Sequence, residues 1–420
     1  MSEFEKIDRI LKGELIVSMG CTEPSAIAFA IAYAKEQLPK NEKIDKINLY
    51  ASSNILKNAL CVTLPNTNTS GILMIVILAL IKCKSKDKLT ILNNITLEDV
   101  MKANKIKNQF DINIKLKEKV NPLYIEVQMF SKNHEVKVIV EQEHDKIRFC
   151  SIDNNIIFTR NVEEEINKKY ILNFDNIYSF VKNRKYDIIL IENVKKYNYA
   201  MGKYGLKNNV GLNIGSILQK SDVYSKKIGK VISATVAGID SRMSGVPKKV
   251  IVNSGSGNQG ITATIPIVEF AKQFNIPHEI EMDALALSHL VTIYIRSKQN
   301  KLSSSCGAIC ASAGAAAGIA YMLGCDKSEI EVAINNLLCS SFGVFCDGAK
   351  STCSLKVSSA ISSAISSAIM ASKMHTTDKS YGVISSSLDD TLLLLSKIEN
   401  EMTKNLDKTI MNQVIKNNSK

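Results

Sequence analysis

The sequence contains no tryptophan, only five histidines and only seven prolines among 420 residues. The N-terminus also lacks a basic segment followed by an apolar one, which is the pattern of a secretory signal. The longest aliphatic run, at 72–81, has ten residues, whereas a helix that spans a bilayer needs ~20. We therefore expect a cytoplasmic protein with no membrane partner.

The net charge of +12 is not concentrated in any part of the chain. A basic protein is typical of nucleic-acid binding when its lysines and arginines cluster on an arm or in a known module. Here lysine is spread over the whole sequence and no such module is found, so no nucleic-acid partner is expected. Hydrophobic residues make up 45% of the chain, which provides for a sizeable core.

Hydrophobic periodicity predicts an α+β fold in two lobes. Residues 1–230 combine helical patterns with alternating apolar and polar residues over 110–160, which predicts helices and a mixed or antiparallel sheet. Residues 231–420 are rich in glycine, alanine and serine and predict a mainly helical catalytic lobe. Within the first lobe, 1–18 indicates an amphipathic helix and 72–81 a buried one.

Six of the ten cysteines lie between 306 and 353. In a reducing cytosol they are thiols or metal ligands rather than disulfides. Cys346 and Cys353 flank a segment with a glycine, which allows both thiolates to reach one metal centre, and Cys306 follows a serine-rich loop. Three such thiolates suit an iron–sulfur cluster. Spacing alone leaves zinc and no metal as alternatives, although the usual C-x-x-C pairs of zinc sites are absent.

Cys21 precedes the apolar stretch 26–34, which predicts a helix with Thr22 as its N-cap. The positive end of a helix dipole favours a thiolate, so we expect a lowered pKa for Cys21. A buried, inert cysteine is the alternative. Five further cysteines lie in apolar patterns and are expected in the core: Cys61, Cys83, Cys310, Cys325 and Cys339.

The histidines are sparse and lie far apart in the sequence. His134 and His144 belong to the alternating segment 110–160 and are expected at the surface. His289 lies in a helical pattern that leads toward Cys306, where a hydrogen-bonded core histidine is the expected outcome and a place near the cysteines is the alternative.

The segment GSGNQG at 255–260 matches the G-x-G-x-x-G pattern of a dinucleotide-binding turn between a strand and a helix. No alternation of strands and helices surrounds it, so we favour a helix-entry turn that cradles a small carboxylate. A purely structural turn is the alternative. Ser254, Ser256 and Asn258 provide the polar side chains of this segment.

Four segments together resemble the L-cysteine desulfidase family, in the same order along the chain. They are GCTEP at 20–24, SNILKN at 53–58, SGSGNQG at 254–260 and CDGAK at 346–350. The resemblance runs over nearly the whole chain. The C-terminal half is also similar to the α region of the iron–sulfur L-serine dehydratases, a related family of lyases.

The resemblance implies a [4Fe–4S] cluster with three cysteine ligands and one open iron. The ligands fall on Cys306, Cys346 and Cys353. The family's other functional cysteine falls on Cys21, which we take as the base that removes the α-proton of the substrate. The implied reaction is β-elimination of H2S from L-cysteine, which yields pyruvate, ammonia and sulfide. A serine dehydratase on the same scaffold and a non-catalytic iron–sulfur or zinc sensor are the alternatives.

The expected partner is therefore a small amino-acid substrate, and assembly into a homo-oligomer is left open. The motifs supply the candidate substrate-binding residues, which are Thr22, Glu23, Ser53, Asn54, Lys57, Asn58, Ser254, Ser256, Asn258 and Gln259. We expect the residues of 254–260 to hold the carboxylate and those of 53–58 to bind the amino-acid end. A solvated surface position is the alternative for Lys57.

Overall fold

A computed structural model describes residues 1–40, 42–67, 69–160, 171–222, 224–299, 304–373, 382–385 and 387–418. The helices are α1 (Glu3–Glu14), α2 (Thr22–Glu36), α3 (Ser53–Leu60), α4 (Ile72–Lys82), α5 (Leu97–Ile106), α6 (Phe174–Lys182), α7 (Ile188–Lys207), α8 (Ile214–Gln219), α9 (Lys226–Met243), α10 (Gly257–Phe274), α11 (His278–Lys298), α12 (Gly307–Met322), α13 (Lys327–Ser341), α14 (Cys353–Ala371) and α15 (Leu388–Asn418). The strands are β1 (Val17–Met19), β2 (Ile44–Ala51), β3 (Asp111–Leu116), β4 (Tyr124–Ser131), β5 (Glu135–Glu141), β6 (Ile147–Ile152), β7 (Asn155–Thr159) and β8 (Lys249–Ile251). The predicted α+β class is confirmed.

The larger sheet has the strand order β3–β2–β4–β5–β6–β7. β2 and β3 are parallel, whereas the other neighbouring pairs are antiparallel, so the sheet is mixed. Alternate residues of β5 (Val136, Val138 and Val140) are buried, and α2 packs against this strand. The alternation over 110–160 thus predicted a sheet with one covered face, and the earlier strand β2 lies within it.

Two hydrophobic cores divide the molecule. The first is built from the sheet and from α2 to α5, and its buried residues run from Ala26 to Cys150, joined by Met411. The second contains α1 and the helices from α6 onward, with buried residues from Ile7 to Leu395. Along the sequence, the first core ends at Cys150, apart from Met411, and the second core continues from Leu172. This change lies before residue 230, where the sequence predicts the domain boundary. The division into domains 1–230 and 231–420 stays a prediction.

The N-terminal segment differs from the helix predicted over 1–18. α1 begins with a capping box between Ser2 and Glu5 and ends at Glu14, because Leu15 leaves the helical backbone conformation. β1 follows at once and pairs antiparallel with β8, with Val17 opposite Ile251. A short ribbon therefore ties the start of the chain to the strand that precedes the turn at 253–256.

One helix among the described residues, α14, is long and apolar enough by length and mean hydropathy to cross a membrane. Its buried residues, which include Val357, Ala364 and Ala368, form one face, and the helix packs against α9, α12 and α13. Serines such as Ser359 and Ser366 are exposed on the other side. α14 is therefore packed through one face into the helical bundle of the second core.

His289 is fully buried between α10 and β8, as expected of a core histidine. Its Nδ1 is 3.0 Å from Asn253 Nδ2, and its Nε2 is 3.0 Å from Thr264 Oγ1. The two contacts suit a neutral ring that accepts at Nδ1 and donates at Nε2. Burial lowers the pKa of His289 to about 3, because the charged ring would lose its hydration.

Acid should therefore weaken the fold through His289. As the pH falls from 7 to 4 the unfolded chain gains a proton at this residue that the folded protein excludes, so the free energy of unfolding decreases. His289→Gln should lower stability at pH 7 and flatten this decrease. Chemical denaturation followed by circular dichroism at a series of pH values measures both effects.

His134→Gln is the matched control, because the exposed His134 pairs with Asp153 and its pKa is raised. A pKa that is raised in the folded state stabilises the fold at acid pH. His134→Gln removes this stabilisation, so its stability should fall at least as steeply in acid as that of the wild type. An unchanged slope in His289→Gln would contradict the assignment.

Candidate active site between the two cores

The candidate residues cluster at the beginnings of helices. Cys21 is the N-cap residue of α2, Ser256 that of α10 and Cys306 that of α12, while Cys353 is the first residue of α14. The first turn of each helix presents backbone N–H groups and the positive end of the helix dipole. The region is thereby suited to anions, including thiolates and carboxylates.

Glu23 connects the first two motifs through a buried carboxylate. Its Oε2 accepts hydrogen bonds from Cys21 Sγ at 3.2 Å and from Thr22 Oγ1 at 3.0 Å. Its Oε1 accepts one from Asn58 Nδ2 at 2.9 Å. The Oδ1 atom of Asn58 is buried and has no hydrogen-bond partner among the described residues. The GCTEP and SNILKN segments therefore meet on one carboxylate and leave one amide oxygen unused.

The prediction of a lowered pKa for Cys21 is wrong. Burial raises the pKa of this thiol far above its ordinary value, and the neighbouring Glu23 carboxylate raises it further, against a smaller opposing effect of Arg242. Burial alone would also raise the pKa of Glu23, but His144, Cys21 and Arg242 hold it below its ordinary value. In the resting site the proton therefore resides on sulfur and the negative charge on Glu23.

Two residues of this site escaped sequence reasoning. His144, expected at the surface, is only 5% exposed, and a Cβ added at Gly255 would lie 3.0 Å from its Cε1. Arg242 donates from Nη1 to Asn258 Oδ1 at 3.0 Å and from Nη2 to the Gly20 carbonyl at 2.9 Å. The sequence signal for Arg242 is a charged residue that follows the small and apolar run 231–239. His144 lies in a charged turn and offers no such signal.

The serine side chains of the turn before α10 form hydrogen bonds with neighbouring residues of the same segment. Ser254 has a φ of 49° and donates from Oγ to Asn253 Oδ1 at 2.9 Å, and Ser256 Oγ accepts from the backbone N–H of Gln259 at 3.4 Å. The side chain of Gln259 is buried and its Oε1 has no partner among the described residues. A Cβ added at Gly307 would lie 2.9 Å from Gln259 Cδ, so this amide lies beside the start of α12.

The dinucleotide interpretation of 255–260 has no support in the fold. β8, which precedes the turn, belongs to a two-stranded antiparallel sheet with β1. A dinucleotide-binding turn requires a parallel strand–helix–strand unit. The segment is therefore a helix entry with one unused amide.

The three predicted ligand cysteines are brought together by two backbone segments. The Cys306 N–H donates to the Val344 carbonyl at 2.9 Å, and the Cys346 N–H donates to the Ser304 carbonyl at 2.7 Å. Burial raises the pKa of Cys306 to about 12, and Cys346 and Cys353 raise it as well. Burial also raises the pKa of Cys353, with Cys346 adding to the effect. The hydrogen bonds of the two segments bring Cys306 and Cys346 together, and the electrostatic effects among the three thiols agree with a common location.

The three cysteines are the donors that the resemblance implies for a cluster. Across the described residues, no three His, Cys, Asp or Glu side chains are arranged to hold one metal ion. In an iron–sulfur cluster each cysteine binds its own iron, so the thiolates surround a larger body. Lys356 lies close by and donates to Asp347 and to the Phe345 carbonyl, which brings positive charge to the three thiols.

The other cysteines fall partly outside the core. Cys310 is buried and donates to Gln299 Oε1 at 3.2 Å, and Cys325 is buried, as expected. Cys61 and Cys83 are half-buried, and Cys339 is exposed, which corrects the expectation of core packing. α13 turns the last of these residues toward solvent.

Lys57 is buried, which excludes the surface position considered for it. Its Nζ is 2.6 Å from Asp407 Oδ1 and donates to the Cys346 carbonyl at 3.2 Å. Asn54 donates to the other oxygen of Asp407 at 2.9 Å. Gly348 has a φ of +101°, and a Cβ there would lie 2.6 Å from the Lys57 carbonyl. Lys57 and Asn54 therefore fix α3 and α15 against the Cys346 loop, and Ser53 opens α3 beside them.

Comparison with known proteins agrees with this arrangement of motifs. A family model described as the serine dehydratase alpha chain matches residues 86–412. The chain belongs to this family, and the resemblance inferred from the four motifs is confirmed at that level.

Several relatives that match along nearly their whole length are called UPF0597 proteins. The chain is 38% identical over 413 residues to one from Clostridium perfringens, with 96% of each chain covered. It is 33% identical to one from Phocaeicola vulgatus and 34% identical to one from Photobacterium profundum, in both cases with 97% of each chain covered. These names specify no substrate.

The ion pair between Lys57 and Asp407 gives the first test of this site. Asp407→Asn leaves the Lys57 ammonium buried without a counter-charge, which should cost about 3–5 kcal/mol of unfolding free energy. Lys408→Gln on the same helix is the control, because it breaks an exposed pair with Glu118 and should change stability little. Thermal and chemical denaturation compare the two variants, and equally small losses would show that Lys57 does not depend on Asp407.

Proposed function

We propose that this protein is an iron–sulfur-dependent carbon–sulfur lyase that eliminates H2S from L-cysteine and yields pyruvate, ammonia and sulfide. The membership of the serine dehydratase alpha chain family supports a lyase of the dehydratase type. The observation that supports the proposal most is the buried Cys21–Glu23 pair in a site that also contains three neighbouring cysteines. The protein would act in the cytoplasm on a free amino acid.

Cys306, Cys346 and Cys353 would hold the [4Fe–4S] cluster. When bound, the cluster supplies a Lewis acid that stabilises the leaving group. The cysteines must lose their protons to become ligands, so the raised pKa values of Cys306 and Cys353 imply that protons are released on assembly. Lys356 and the first turns of α12 and α14 would offset the negative charge of the thiolates.

Cys21 and Glu23 would carry the proton transfer. Glu23 accepts the hydrogen bond from the Cys21 thiol, so it is placed to take that proton once the charge of a bound substrate ammonium group favours the thiolate. The resulting thiolate removes the Cα proton of the substrate, the Cα–H electrons form the Cα=Cβ bond, and the Cβ–S pair leaves with sulfur. The 2-aminoacrylate product tautomerises to an imine, and water converts it to pyruvate and ammonia.

Two unused acceptors suit the amino group of the substrate. Asn58 Oδ1 and Gln259 Oε1 are buried and have no partner among the described residues. A buried acceptor without a hydrogen bond is costly, and a substrate ammonium group would satisfy both. Asn58 is joined to Glu23 and Gln259 lies beside the start of α12, so one acceptor comes from α3 and the other from α10.

L-Serine is the second candidate substrate, favoured by the description of the matching family as a serine dehydratase alpha chain. The same residues would then eliminate water instead of H2S. A non-catalytic sensor gives no reason for a buried thiol hydrogen-bonded to a carboxylate or for the two unused acceptors. Homo-oligomer formation and the absence of a nucleic-acid partner stay predictions.

Anaerobic reconstitution should load about four irons and four sulfides per chain. The loaded protein should release sulfide from L-cysteine with a higher kcat/KM than that for pyruvate formation from L-serine. Cys346→Ala should lose iron and activity, whereas Cys310→Ala, a buried cysteine outside the group, should keep both. A reversed preference would assign the protein to serine, and full iron content in Cys346→Ala would refute the ligand set.

Glu23→Gln should separate proton transfer from cluster binding. An amide cannot take the Cys21 proton, so kcat should fall by about 10²–10⁴ while the iron content is unchanged. Cys21→Ser should behave in the same way. Glu269→Gln is the control, since Glu269 is equally buried but accepts from Tyr199 on the far side of α10. Full turnover in Glu23→Gln would exclude the proposed proton acceptor.

A further inference from the structure

We propose that Arg242 binds the α-carboxylate of the substrate and that Gly257 is glycine because it leaves space for this guanidinium. The inference rests on the proposed function only in taking an amino acid as the substrate. Neither residue belongs to the set expected from the motifs to hold the carboxylate, which was Ser254, Ser256, Asn258 and Gln259.

Arg242 is a buried cation without a direct counter-charge among the described residues. Its side chain is in the last turn of α9 and the residue is 3% exposed. It donates to Asn258 Oδ1 and to the Gly20 carbonyl and forms a side-chain hydrogen bond with Cys21, all of them neutral groups. Its Nε has no partner among the described residues. Burying an unpaired charge costs several kcal/mol, so native proteins usually pair such a group with an anion. A bound carboxylate would complete the pairing.

Glu23, whose charge Arg242 influences, already accepts hydrogen bonds from other residues. Arg242 influences Glu23 through space, but the two form no ion pair within 4 Å. Both oxygens of Glu23 accept hydrogen bonds, from Cys21 and Thr22 on one side and from Asn58 on the other. Arg242 also opposes the rise in the pKa of Cys21 through its charge and a side-chain hydrogen bond, so the guanidinium lies beside the proposed base.

Gly257 supplies the second, independent observation. A Cβ at this position would lie 2.2 Å from Arg242 Nε and 2.7 Å from its Cζ, a distance no side chain tolerates. Gly257 is the first residue of α10, whose opening N–H groups also favour an anion. Because residue 257 is glycine, the Nε atom of Arg242 lies against the beginning of α10. The guanidinium group and the helix N-terminus both attract an anion.

The surroundings select an amino acid among small anions. The two unused amide oxygens, Asn58 Oδ1 and Gln259 Oε1, are acceptors that an inorganic anion or a simple carboxylate would leave unsatisfied. A ligand with an anionic and a cationic group on one carbon satisfies Arg242 and these acceptors together. The Cα–H of such a ligand would then lie between its two binding groups, in the region that Cys21 also occupies.

The test uses equilibrium binding of ligands that cannot react. L-Alanine has both charged groups but no leaving group, and L-alaninamide lacks only the carboxylate. Calorimetry with the iron-loaded protein should show that Arg242→Gln weakens L-alanine binding about 10–100-fold, as expected for a charge-assisted hydrogen bond, and leaves L-alaninamide binding unchanged. Arg242→Lys should lose less. For L-cysteine turnover, KM should rise more than kcat falls.

Gly257→Ala is a second variant that keeps the arginine but displaces its side chain, so it should weaken L-alanine binding as well. Arg184→Gln is the matched control, because Arg184 is half exposed and already paired with Glu279 and Asp283. It should bind L-alanine like the wild type. If Arg242→Gln does not fold, as judged by circular dichroism and iron content, Arg242→Lys and Gly257→Ala decide the question.

Wild-type affinity for L-alanine in the Arg242 variants overturns the inference, and so does an equal loss for L-alanine and L-alaninamide. Failure of wild-type protein to bind L-alanine overturns it too. L-Alanine binding that depends on Arg242 without sulfide release from L-cysteine keeps the carboxylate site but removes the proposed reaction. Sulfide release that is unchanged in Arg242→Gln keeps the reaction and removes the carboxylate site.

Discussion

The buried ion pair between Lys57 and Asp407 joins residues 350 positions apart in the sequence. It lies where the first core meets the Cys346 loop, since Lys57 also donates to the Cys346 carbonyl. Water is excluded there, so neither charge has an alternative partner in bulk solvent. The position of α3, and with it the contact of Asn58 with Glu23, therefore depends on a residue of the last helix.

A second constraint on the site is that many of its ionisable groups are buried and have little contact with water. Cys21, Glu23, Arg242 and Cys306 are all buried, and each is adjusted by the others and by the helix beginnings around them. A carboxylate there keeps its charge because cations and hydrogen-bond donors replace solvent. The thiols keep their protons because the nearby cations and hydrogen-bond donors do not stabilise a thiolate enough to offset its loss of hydration. Proton positions in the site are thus set by the surrounding residues.

The sequence predicted much of this arrangement because the motifs contain residues that a simple core has no use for. A polar GCTEP segment before an apolar helix and a dense group of cysteines are unusual enough to identify without structure. The lowered pKa of Cys21 was wrong for a quantitative reason. A helix terminus contributes about 0.3–1 kcal/mol at the surface, whereas each unit of pKa corresponds to ~1.4 kcal/mol and burial acts over several units.

Other features required contacts between distant segments. Arg242, in the last turn of α9, gives no sign in sequence of meeting Gly20. His144 lies in a charged turn of the kind that usually faces solvent. Asp407 lies in a helix whose local pattern is amphipathic and ordinary. Each becomes part of the site only through tertiary packing. Pattern reasoning therefore identified segments of unusual composition. It missed residues of ordinary segments that only the tertiary fold brings into the site.

Asp407 has a consequence for the order in which the protein is made. Translation releases the GCTEP motif, the 254–260 turn and all three ligand cysteines before it reaches α15. Until then Lys57 has no counter-ion, and the Cys346 loop lacks its anchor on α3. The site is therefore finished only after residue 407 has been made, so a chain that stops before α15 lacks the counter-ion that holds α3 against the Cys346 loop.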